Sequence, residues 1–500
     1  QSFEAKITRA ADYMMYNWLK VTFSGVELKK TQALANANDV SDNFTAPPSL
    51  ASSKTICYSG TTAATTGVVG GIGVVNAGLV AVGNAISPIP TGTVGQLGYS
   101  NNLRLRWTRN LAHNLVSEIQ LTFNDLTSWR CDNYHLDFWA AFTVPSSKRT
   151  GYDNMVGNIA EINNPSRSGA TEKEHSAKNP ATTARGQAID SFTLNLPIPH
   201  CHSLDSGVAL PTAALPYNEM KLHFEFNDWT KLLIVDNIGA FPITLNNRTI
   251  AGGASIPAIS DDLAKDPILT DVEVWANYAV VSNTERLAMG SSPRDIQIQQ
   301  VQTVKPQPWN GENPTPTTLN LSHAVKTLFW AVRNTTNAAE WSNYTSSSPD
   351  AFNTSNVDNA ITSSGQALNS ANLDNNNGTG VQFSTDLGSD PIETTTLQYD
   401  STTRLDAVKS DYFTLIQPWY HAKAIPEETG YHMYSYALDL MSSDSGGSTN
   451  FGKLSNVTMS FESSTDAQTS AKDPVTSVPA ISTTNAIAGS AGNTRTPANS

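Results

Sequence analysis

The chain has 500 residues, of which 15% are charged and 39% apolar, with a formal net charge of −13 at pH 7. That length is more than one hydrophobic core usually serves, so we expect two domains. The acidic balance argues against broad contact with nucleic acid, because phosphate binding needs clustered Lys and Arg. Three scattered cysteines, Cys57, Cys131 and Cys201, are too few for a disulfide framework and suit a reducing compartment.

The first elements read as strands. Residues 3–7 alternate apolar and polar side chains, and an apolar and aromatic run follows at 13–23. Between about 31 and 100 the sequence is rich in Gly, Ala, Val and Thr and has no core pattern. Its apolar run at 68–83 is shorter than the roughly 20 residues that span a membrane, so we favour a surface loop over a membrane segment.

Next comes a strand with regularly spaced arginines. Arg104 and Arg106 alternate with Leu103, Leu105 and Trp107, a pattern that predicts a strand whose arginines lie on a solvated or interface face. Nucleic-acid binding by these arginines together with Arg109 is the less favoured alternative.

A strand, a short helix and a loop follow. Residues 119–123 alternate as in a half-buried strand. Leu136, Trp139 and Ala140 fall at helical spacing and predict a short helix over 134–142. The stretch 160–192 is polar, contains Pro and Gly, and predicts a loop.

The clearest strand signal is at 220–226. Met220, Leu222, Phe224 and Phe226 alternate with polar residues, as in a strand with one wet face. The prolines that precede it favour a corner between strands. The stretch 237–267 is rich in Gly, Pro and Ala and lacks periodicity, so it predicts a crossing between domains.

The second domain is predicted to open at 268, with a strand at 272–281. Further strands are expected around Ile296 and Ile298, then at 328–332, 431–440 and 457–461. A polar stretch over about 337–393 predicts a second long insertion without a core of its own. From 463 to 500 the chain has low complexity and no visible closing strand.

Several groups of residues invite a chemical interpretation. His200, Cys201 and His202 are zinc-ligand types, but neighbouring strand residues point to opposite faces and a site needs three or four convergent ligands. Cys131 is expected to be a buried, inert thiol. A hydrolase is suggested by Ser128, Asp132, His135 and Asp137, whose spacing matches no nucleophile elbow.

Other catalytic signatures are weaker still. The paired carboxylates at 427–428 and 261–262 are more typical of solvated loop charges than of a glycosidase pair. The chain has no phosphate-binding Gly-Lys-Ser/Thr motif, no CxxC and no HExxH. We therefore predict no catalytic residue, no cofactor-binding residue and no metal ligand, and no enzymatic activity.

Seven ordered blocks carry a family resemblance. The chain resembles the iridovirus major capsid proteins, within the double jelly-roll capsid proteins of large DNA viruses, in LRWTRNLAHNLVSEIQLTFNDL (105–126), DNYHLDFWAAFTVPSSKRTGYDNMVGN (132–158), DSGVALPTAALPYNEM (205–220), VWANYAVVSNTERLAMG (274–290), SHAVKTLFWAVRNTT (322–336), SDYFTLIQPWYHA (410–422) and GSTNFGKLSNV (447–457).

The resemblance implies an all-β fold of two tandem antiparallel eight-stranded jelly rolls with long loop insertions. The first roll would cover 1–236, with insertions at about 31–100 and 160–192, and a crossing would follow at 237–267. The second roll would cover 268–462, with an insertion at about 337–393. The tail 463–500 would either take the place of the closing strand of this roll or contain that strand in incomplete form. Residues of a longer family N-terminus would precede Gln1.

The implied function is structural. The family forms homotrimers whose six rolls make a pseudo-hexagonal capsomer, and these tile an icosahedral shell over an internal membrane, with neighbouring capsomers and minor capsid proteins as partners. Any contact with the membrane would be indirect, and assembly would take place in the host cytoplasm. Aromatic residues around Trp139, Trp330 and Trp419 are candidates for the trimer interface. The alternative is a carbohydrate-binding β-sandwich, with a lectin-like or receptor-binding role for its outer loops.

Overall fold

The computed structural model describes residues 2–29, 103–163, 188–215, 217–237, 243–246, 248–250, 255–291, 297–309, 314, 316–333, 340–346, 390–443, 446–465 and 467–468. Cys57, the apolar run at 68–83 and Ile296 lie outside the described residues, as does the tail from 469.

Antiparallel β-strands dominate the regular structure. The first half of the chain contains β1 (Ser2–Lys6), β2 (Tyr13–Phe23), β3 (Val26–Glu27), β4 (Leu103–Trp107), β5 (Val116–Phe123), β6 (Leu126–Asp132), β7 (Ala188–Ile189), β8 (Phe192–Pro197), β9 (Met220–Phe226), β10 (Leu233–Asn237), β11 (Ile243–Leu245), β12 (Arg248–Ile250), β13 (Ser255–Pro257) and β14 (Leu269–Ala279).

The second half contains shorter strands. They are β15 (Thr317–Thr318), β16 (Ala324–Val325), β17 (Thr327–Trp330), β18 (Ile392–Tyr399), β19 (Thr402–Lys409), β20 (His432–Ser435), β21 (Thr449–Asn450) and β22 (Val457–Ser463).

In the described part of the chain, helices are few and short. They are α1 (Leu111–Leu115), α2 (Asn133–Thr143), α3 (Ser146–Val156), α4 (Ala160–Asn163), α5 (Asn283–Ser291) and α6 (Gln417–His421), and a π-helical turn at Tyr412–Ile416 leads directly into α6. The helix predicted at 134–142 is confirmed as α2. In the part of the chain that the structure describes, no helix is long and apolar enough to cross a membrane.

The predicted strand at 220–226 lies inside a four-stranded sheet ordered β1-β9-β5-β6. Its four apolar side chains are buried and its polar ones are less so, which confirms the alternation found in the sequence. Two three-stranded sheets, β14-β2-β8 and β13-β10-β4, and two strand pairs, β11-β12 and β3-β7, make up the rest of the described first half. Their apolar faces meet in one core cluster that includes Leu19, Leu105, Leu121, Leu222 and Leu233.

The strand that was expected to open the second roll pairs with a strand of the first half. β14 pairs antiparallel with β2 along almost its whole length, from Leu269 opposite Phe23 to Ala279 opposite Tyr13. β13, within the predicted crossing, likewise pairs with β10. The stretch 237–267 contains the short strands β11, β12 and β13 despite its lack of periodicity. Short strands that add to an existing core need no long apolar run of their own.

The second half is built on a sheet ordered β15-β22-β18-β19, with two further pairs, β16-β21 and β17-β20. The strand predicted at 457–461 is confirmed in β22, whereas the one at 431–440 is limited to β20. Ile298 lies in an extended segment outside any strand. The core of this half includes Leu328, Leu397, Phe413, Val457 and Met459.

The predicted insertions are shorter than expected where the structure describes them. Residues 340–346 form a short segment that is mostly buried, and Ile392, placed in the second insertion, is a buried residue of β18. In the predicted loop at 160–192, Ile189 is buried in β7. Sequence polarity did not reveal these residues because their partners lie far away in the chain.

Candidate functional site

The residues that suggested a hydrolase are not brought together. Asp132 precedes α2 and caps it, since its Oδ1 accepts a hydrogen bond from the backbone N–H of His135 over 2.8 Å. His135 is neutral near pH 7, because burial lowers its pKa to about 4. Asp137 points into the protein instead. The pattern therefore encodes a helix N-cap and a buried carboxylate rather than a catalytic triad.

Asp137 is the centre of a buried polar cluster. Its Oδ1 lies 2.6 Å from Nδ1 of His113 and 3.1 Å from the side-chain nitrogen of Asn110. Its Oδ2 accepts hydrogen bonds from the hydroxyls of Ser342 and Tyr344. Every one of these side chains is at least nine-tenths buried. The carboxylate is thus satisfied by protein donors and is shielded from solvent.

His113 is held from its other side by Tyr152, whose hydroxyl lies 2.8 Å from Nε2. Burial raises the pKa of Tyr152, so its hydroxyl keeps its proton and donates it to the ring nitrogen. His113 in turn donates from Nδ1 to Asp137. This arrangement fixes one tautomer of the imidazole and is structural.

The arginines of β4 are buried, so the expectation of a solvated or interface face is wrong. The Nε atom of Arg106 lies 2.7 Å from Asp236 on β10, and its Nη2 lies 2.8 Å from Glu340. Burial lowers the pKa of Arg106, but the two carboxylates raise it by more, and the guanidinium stays charged. Arg109 pairs with Glu428. The prediction failed because β4 is covered on both faces, which alternation along one strand cannot reveal.

Part of the cover over Arg106 comes from residues 340–346, which we call the clasp. Its Trp341 backbone N–H donates to the Thr108 hydroxyl over 2.9 Å, and the Trp341 indole donates to the carbonyl of Lys231 over 2.9 Å. Ser342 accepts from Asn114 over 2.7 Å. In the sequence, the clasp lies between β17 and β18, which are strands of the second half. These hydrogen bonds nevertheless join it to residues of the first half.

The clasp also meets the second half. The ring of Tyr344 packs edge-on against Tyr431, with centroids 5.0 Å apart. Gly430 approaches so closely that a Cβ at this position would overlap the carbonyl oxygen of Tyr344. The sequence analysis did not predict that the clasp is buried. The feature that could have indicated its burial is the presence of two aromatic residues, Trp341 and Tyr344, within a polar stretch.

The His200-Cys201-His202 triplet starts a 3-10 turn rather than lying on a strand. His202 uses Nδ1 to contact the carbonyl of Val208 at 2.9 Å. His200 is fully buried, and neither of its ring nitrogens has a hydrogen-bond partner. Among the described residues, no three His, Cys, Asp or Glu side chains are grouped so that they could hold a metal ion.

The thiols are buried as well. Burial raises the pKa of Cys131 well above its ordinary value, as expected for an inert thiol. Burial also raises the pKa of Cys201, although nearby backbone hydrogen bonds oppose the effect.

The paired carboxylates differ from each other. Glu427 and Asp261 are exposed, as expected. Asp262 is fully buried and accepts hydrogen bonds from Asn246, Arg248 and the backbone of Ile259, so its prediction as a solvated charge is wrong. It closes the turn before β14, where three donors replace water.

Of the three tryptophans that are candidates for a trimer interface, Trp139 and Trp330 are half-buried and Trp419 is highly exposed. Trp330 stacks on His432 in the second-half core, and Trp139 packs on the cluster around Phe142. Trp419 is 71% exposed and lies in a group with Leu415, Ile416, Tyr420 and Leu438, all of them exposed. We call this group the helical patch.

A second exposed aromatic group lies on the sheet β14-β2-β8. Trp18 and Trp275 are opposite each other on β2 and β14, and their rings stack with centroids 6.2 Å apart. Glu273 accepts from the Trp275 indole over 2.9 Å and pairs with Lys20 at 3.1 Å. Together with the exposed Tyr16, these residues form the tryptophan face.

Comparison with known proteins identifies relatives over most of the chain. A family model described as "Major capsid protein N-terminus" matches residues 86–281, and one described as "Large eukaryotic DNA virus major capsid protein" matches 285–491. The major capsid protein of Simulium iridescent virus is 47% identical over 74% of this chain and 68% of its own length. That of lymphocystis disease virus 1 is 40% identical over 74% of this chain and 69% of its own length.

Solved structures agree at the level of fold. The Faustovirus major capsid protein superposes with a TM-score of 0.55 at 10% identity, over 94% of this chain and 85% of that one. The capsid of the virus PBCV-1 gives a TM-score of 0.52 at 17% identity, over 93% of this chain and 80% of that one. These neighbours are double jelly-roll proteins, and the predicted fold class is confirmed.

Proposed function

Because the chain belongs to the family of iridovirus major capsid proteins and has a structural role in the capsid, we propose that it assembles as a homotrimer whose six rolls form a pseudo-hexagonal capsomer. Such capsomers would tile an icosahedral shell over an internal membrane, in contact with neighbouring capsomers and minor capsid proteins. The observation that carries the proposal is the 47% identity to a major capsid protein over 74% of the chain.

The surface supports self-association. Two groups of exposed aromatic side chains, the helical patch and the tryptophan face, lie in different halves of the chain. Interfaces between proteins are enriched in Trp and Tyr and depleted of charge at their centre. The family relationship favours this capsid role over a carbohydrate-binding β-sandwich.

We propose no catalysis and no bound cofactor. The strongest catalytic candidate, Asp137 with His113, is sealed among protein donors, and Arg106 of β4 is neutralised by Asp236 and Glu340. Arginines that are buried and paired in this way are not available to nucleic-acid phosphates. Assembly in the host cytoplasm is in keeping with two buried, unpaired cysteines.

We place the division between the rolls after β14, within residues 280–316, rather than at 237–267. The proposal rests on the pairing of β14 with β2 and of β13 with β10. The clasp would then be a segment of the second roll that attaches this roll to the first roll. It does so through an ion pair with Arg106 and hydrogen bonds with Asp137 and Thr108.

Native mass spectrometry of the purified chain over a range of concentrations tests the trimer. We expect three copies per particle, and electron microscopy of the same sample should show a particle with pseudo-six-fold outline. A monomer that persists at high concentration would contradict the proposal.

A further inference from the structure

The segment that carries the helical patch has one side buried in the protein and an opposite side that is exposed and apolar. The π-helical turn at Tyr412–Ile416 and α6 form one continuous helical rod, and its inner side buries Phe413, Thr414, Gln417 and Pro418. The Gln417 side chain fixes the rod, because it donates to Tyr412 and accepts from the backbone of Ser435. The rod is therefore firmly attached to the second-half core.

Its outer side carries no charge over two turns. Leu415 and Trp419 are spaced i, i+4, as are Ile416 and Tyr420, so the four lie side by side. Leu438 adjoins them, since His421 at the end of α6 contacts the Leu438 carbonyl at 3.2 Å. A surface helix of a globular protein normally has one polar face, and a helix that is apolar all round is normally buried.

The size of the helical patch points to a protein interface. Trp419 and Tyr420 are each 71% exposed and Leu438 is 75% exposed. With the two aliphatic residues, the patch amounts to roughly 600 Å² of apolar surface, at the upper limit for a soluble monomer. A stable interface of standard size covers about 800 Å² per partner, so the patch with a polar rim is large enough to form one.

A membrane is a poorer occupant than protein. Helices that bind lipid surfaces carry Lys and Arg along their polar face, which attract anionic headgroups. Here the other side of the rod is buried in protein, the nearest flanking charges are Asp411 and Lys423, and the whole chain carries a net charge of −13. A capsid protein packs against many copies of itself, so a second copy is the occupant that the observations favour.

A closed ring of three copies needs two different, complementary surfaces on each copy. The tryptophan face is the second surface. Its Trp275 is 51% exposed and is held in place by the ring of Trp18 and by Glu273, so little side-chain entropy is lost when a partner covers it. It also lies on β14, which has β2 on one side and no strand on the other among the described residues.

We propose that the helical patch of one copy docks on the tryptophan face of the next copy, and that this contact closes the trimer. The inference rests on the proposed trimer and names the two surfaces that build it. Trp419 and Tyr420 are the anchors from one side, and Trp18 and Trp275 receive them from the other.

The first test introduces a charge into each surface. Trp419→Lys and Trp275→Glu, studied as full-length chains, should each convert the trimer to a folded monomer in native mass spectrometry. Leu126→Lys is the matched control, because Leu126 is 75% exposed at the start of β6 and belongs to neither surface. The control should remain a trimer. If either charged variant remains a trimer, the inference is wrong.

The second test asks whether the two surfaces meet. The chain with both Trp419→Lys and Trp275→Glu should regain trimers, because the new charges would face each other across the interface. A double variant that stays monomeric would contradict the pairing of these two surfaces. A wild-type chain that is itself monomeric would instead overturn the proposed trimer, so the two failures are distinguishable.

A third measurement does not depend on how the variants fold. A photo-crosslinking amino acid is placed at Tyr420, and isotopically light and heavy copies are mixed, reassembled and irradiated. Cross-links between copies should map to β2 or β14. Cross-links that join Tyr420 to the same helical rod of a second copy would show a two-fold contact and overturn the inference.

Discussion

Tyr344 donates its phenolic hydrogen to the carboxylate of Asp137 over 2.9 Å, and this bond joins the clasp to the helix α2 of the first half. The same carboxylate holds His113, and the same clasp carries Glu340 to Arg106. Burial raises the pKa of Tyr344 well above its ordinary value, with the charge of Asp137 acting in the same direction, so the donor stays protonated. The two halves are therefore joined by buried hydrogen bonds to Asp137 and by the buried ion pair of Arg106 with Glu340.

Removing Asp137 should destabilise the whole chain. Asp137→Ala leaves His113, Ser342 and Tyr344 without their shared acceptor, and unsatisfied buried groups cost about 1–3 kcal/mol each. We expect the free energy of unfolding to fall by at least about 3 kcal/mol, measured by urea denaturation. Asp205→Ala, at an exposed carboxylate, is the control and should change it little. Equal stability of the two variants would contradict a structural role for Asp137.

Two glycine substitutions should change the stability of the fold in opposite directions. Gly430 has a φ of +97° and faces the Tyr344 carbonyl, so Gly430→Ala combines backbone strain with a clash and should lower stability by at least about 2 kcal/mol. Gly151 lies within α3, and a Cβ at this position would meet no atom within 4 Å. Gly151→Ala should raise stability by about 0.5–1 kcal/mol, because Ala favours helix.

Thermal unfolding of both variants against the wild type checks this pair. A Gly430→Ala variant as stable as the wild type would mean that the clasp can move away from residue 430 without loss.

The sequence was most informative where structure depends on neighbours along the chain. The alternation of Met220, Leu222, Phe224 and Phe226 is enough to predict β9, and helical spacing is enough to predict α2. Arg106 shows the limit. Its neighbours indicate a wet face, but its environment is set by Asp236 and Glu340, which lie far away in the chain.

The clasp could not be predicted for the same reason. A polar heptapeptide is normally solvated, and only partners on β4, α1 and α2 make its burial favourable. The exposed rod around Trp419 is the converse case. The sequence suggests Trp419 only as a candidate for an interface, through the family resemblance, and the structure leaves it on the surface of a single copy.

Chelation should leave the chain unchanged. Because no three ligand-type side chains converge among the described residues, removing metal ions with EDTA should not shift the melting temperature. If a metal ion did bind, His200 and His202 would be the candidate ligands, because their ring centroids are 5.9 Å apart. A drop of several degrees that zinc reverses, and that is lost in a His202→Ala variant, would contradict this prediction.

His200 should make the chain sensitive to acid. Burial lowers the pKa of this imidazole to about 3, and the nearby His202 acts in the same direction, whereas an unfolded chain has an ordinary value of about 6.5. The folded state therefore binds fewer protons between these values. The contribution of neutral His200 to the free energy of unfolding is complete above about pH 6.5. It is lost progressively as the pH falls towards 3, and the free energy of unfolding falls by as much as about 3 kcal/mol between pH 7 and 4.

His200→Phe isolates that contribution. The substitution keeps an aromatic ring beside Trp129 and removes two buried nitrogens that lack partners, so it should raise stability at pH 7 by about 1 kcal/mol or more. It should also flatten the loss of stability between pH 7 and 4, leaving a smaller slope from His135, whose pKa burial lowers to about 4. His323→Asn, at an exposed histidine, is the control. Urea denaturation at several pH values gives both quantities, and an unchanged slope in His200→Phe would mean that the ring of His200 reaches water or a proton acceptor in solution.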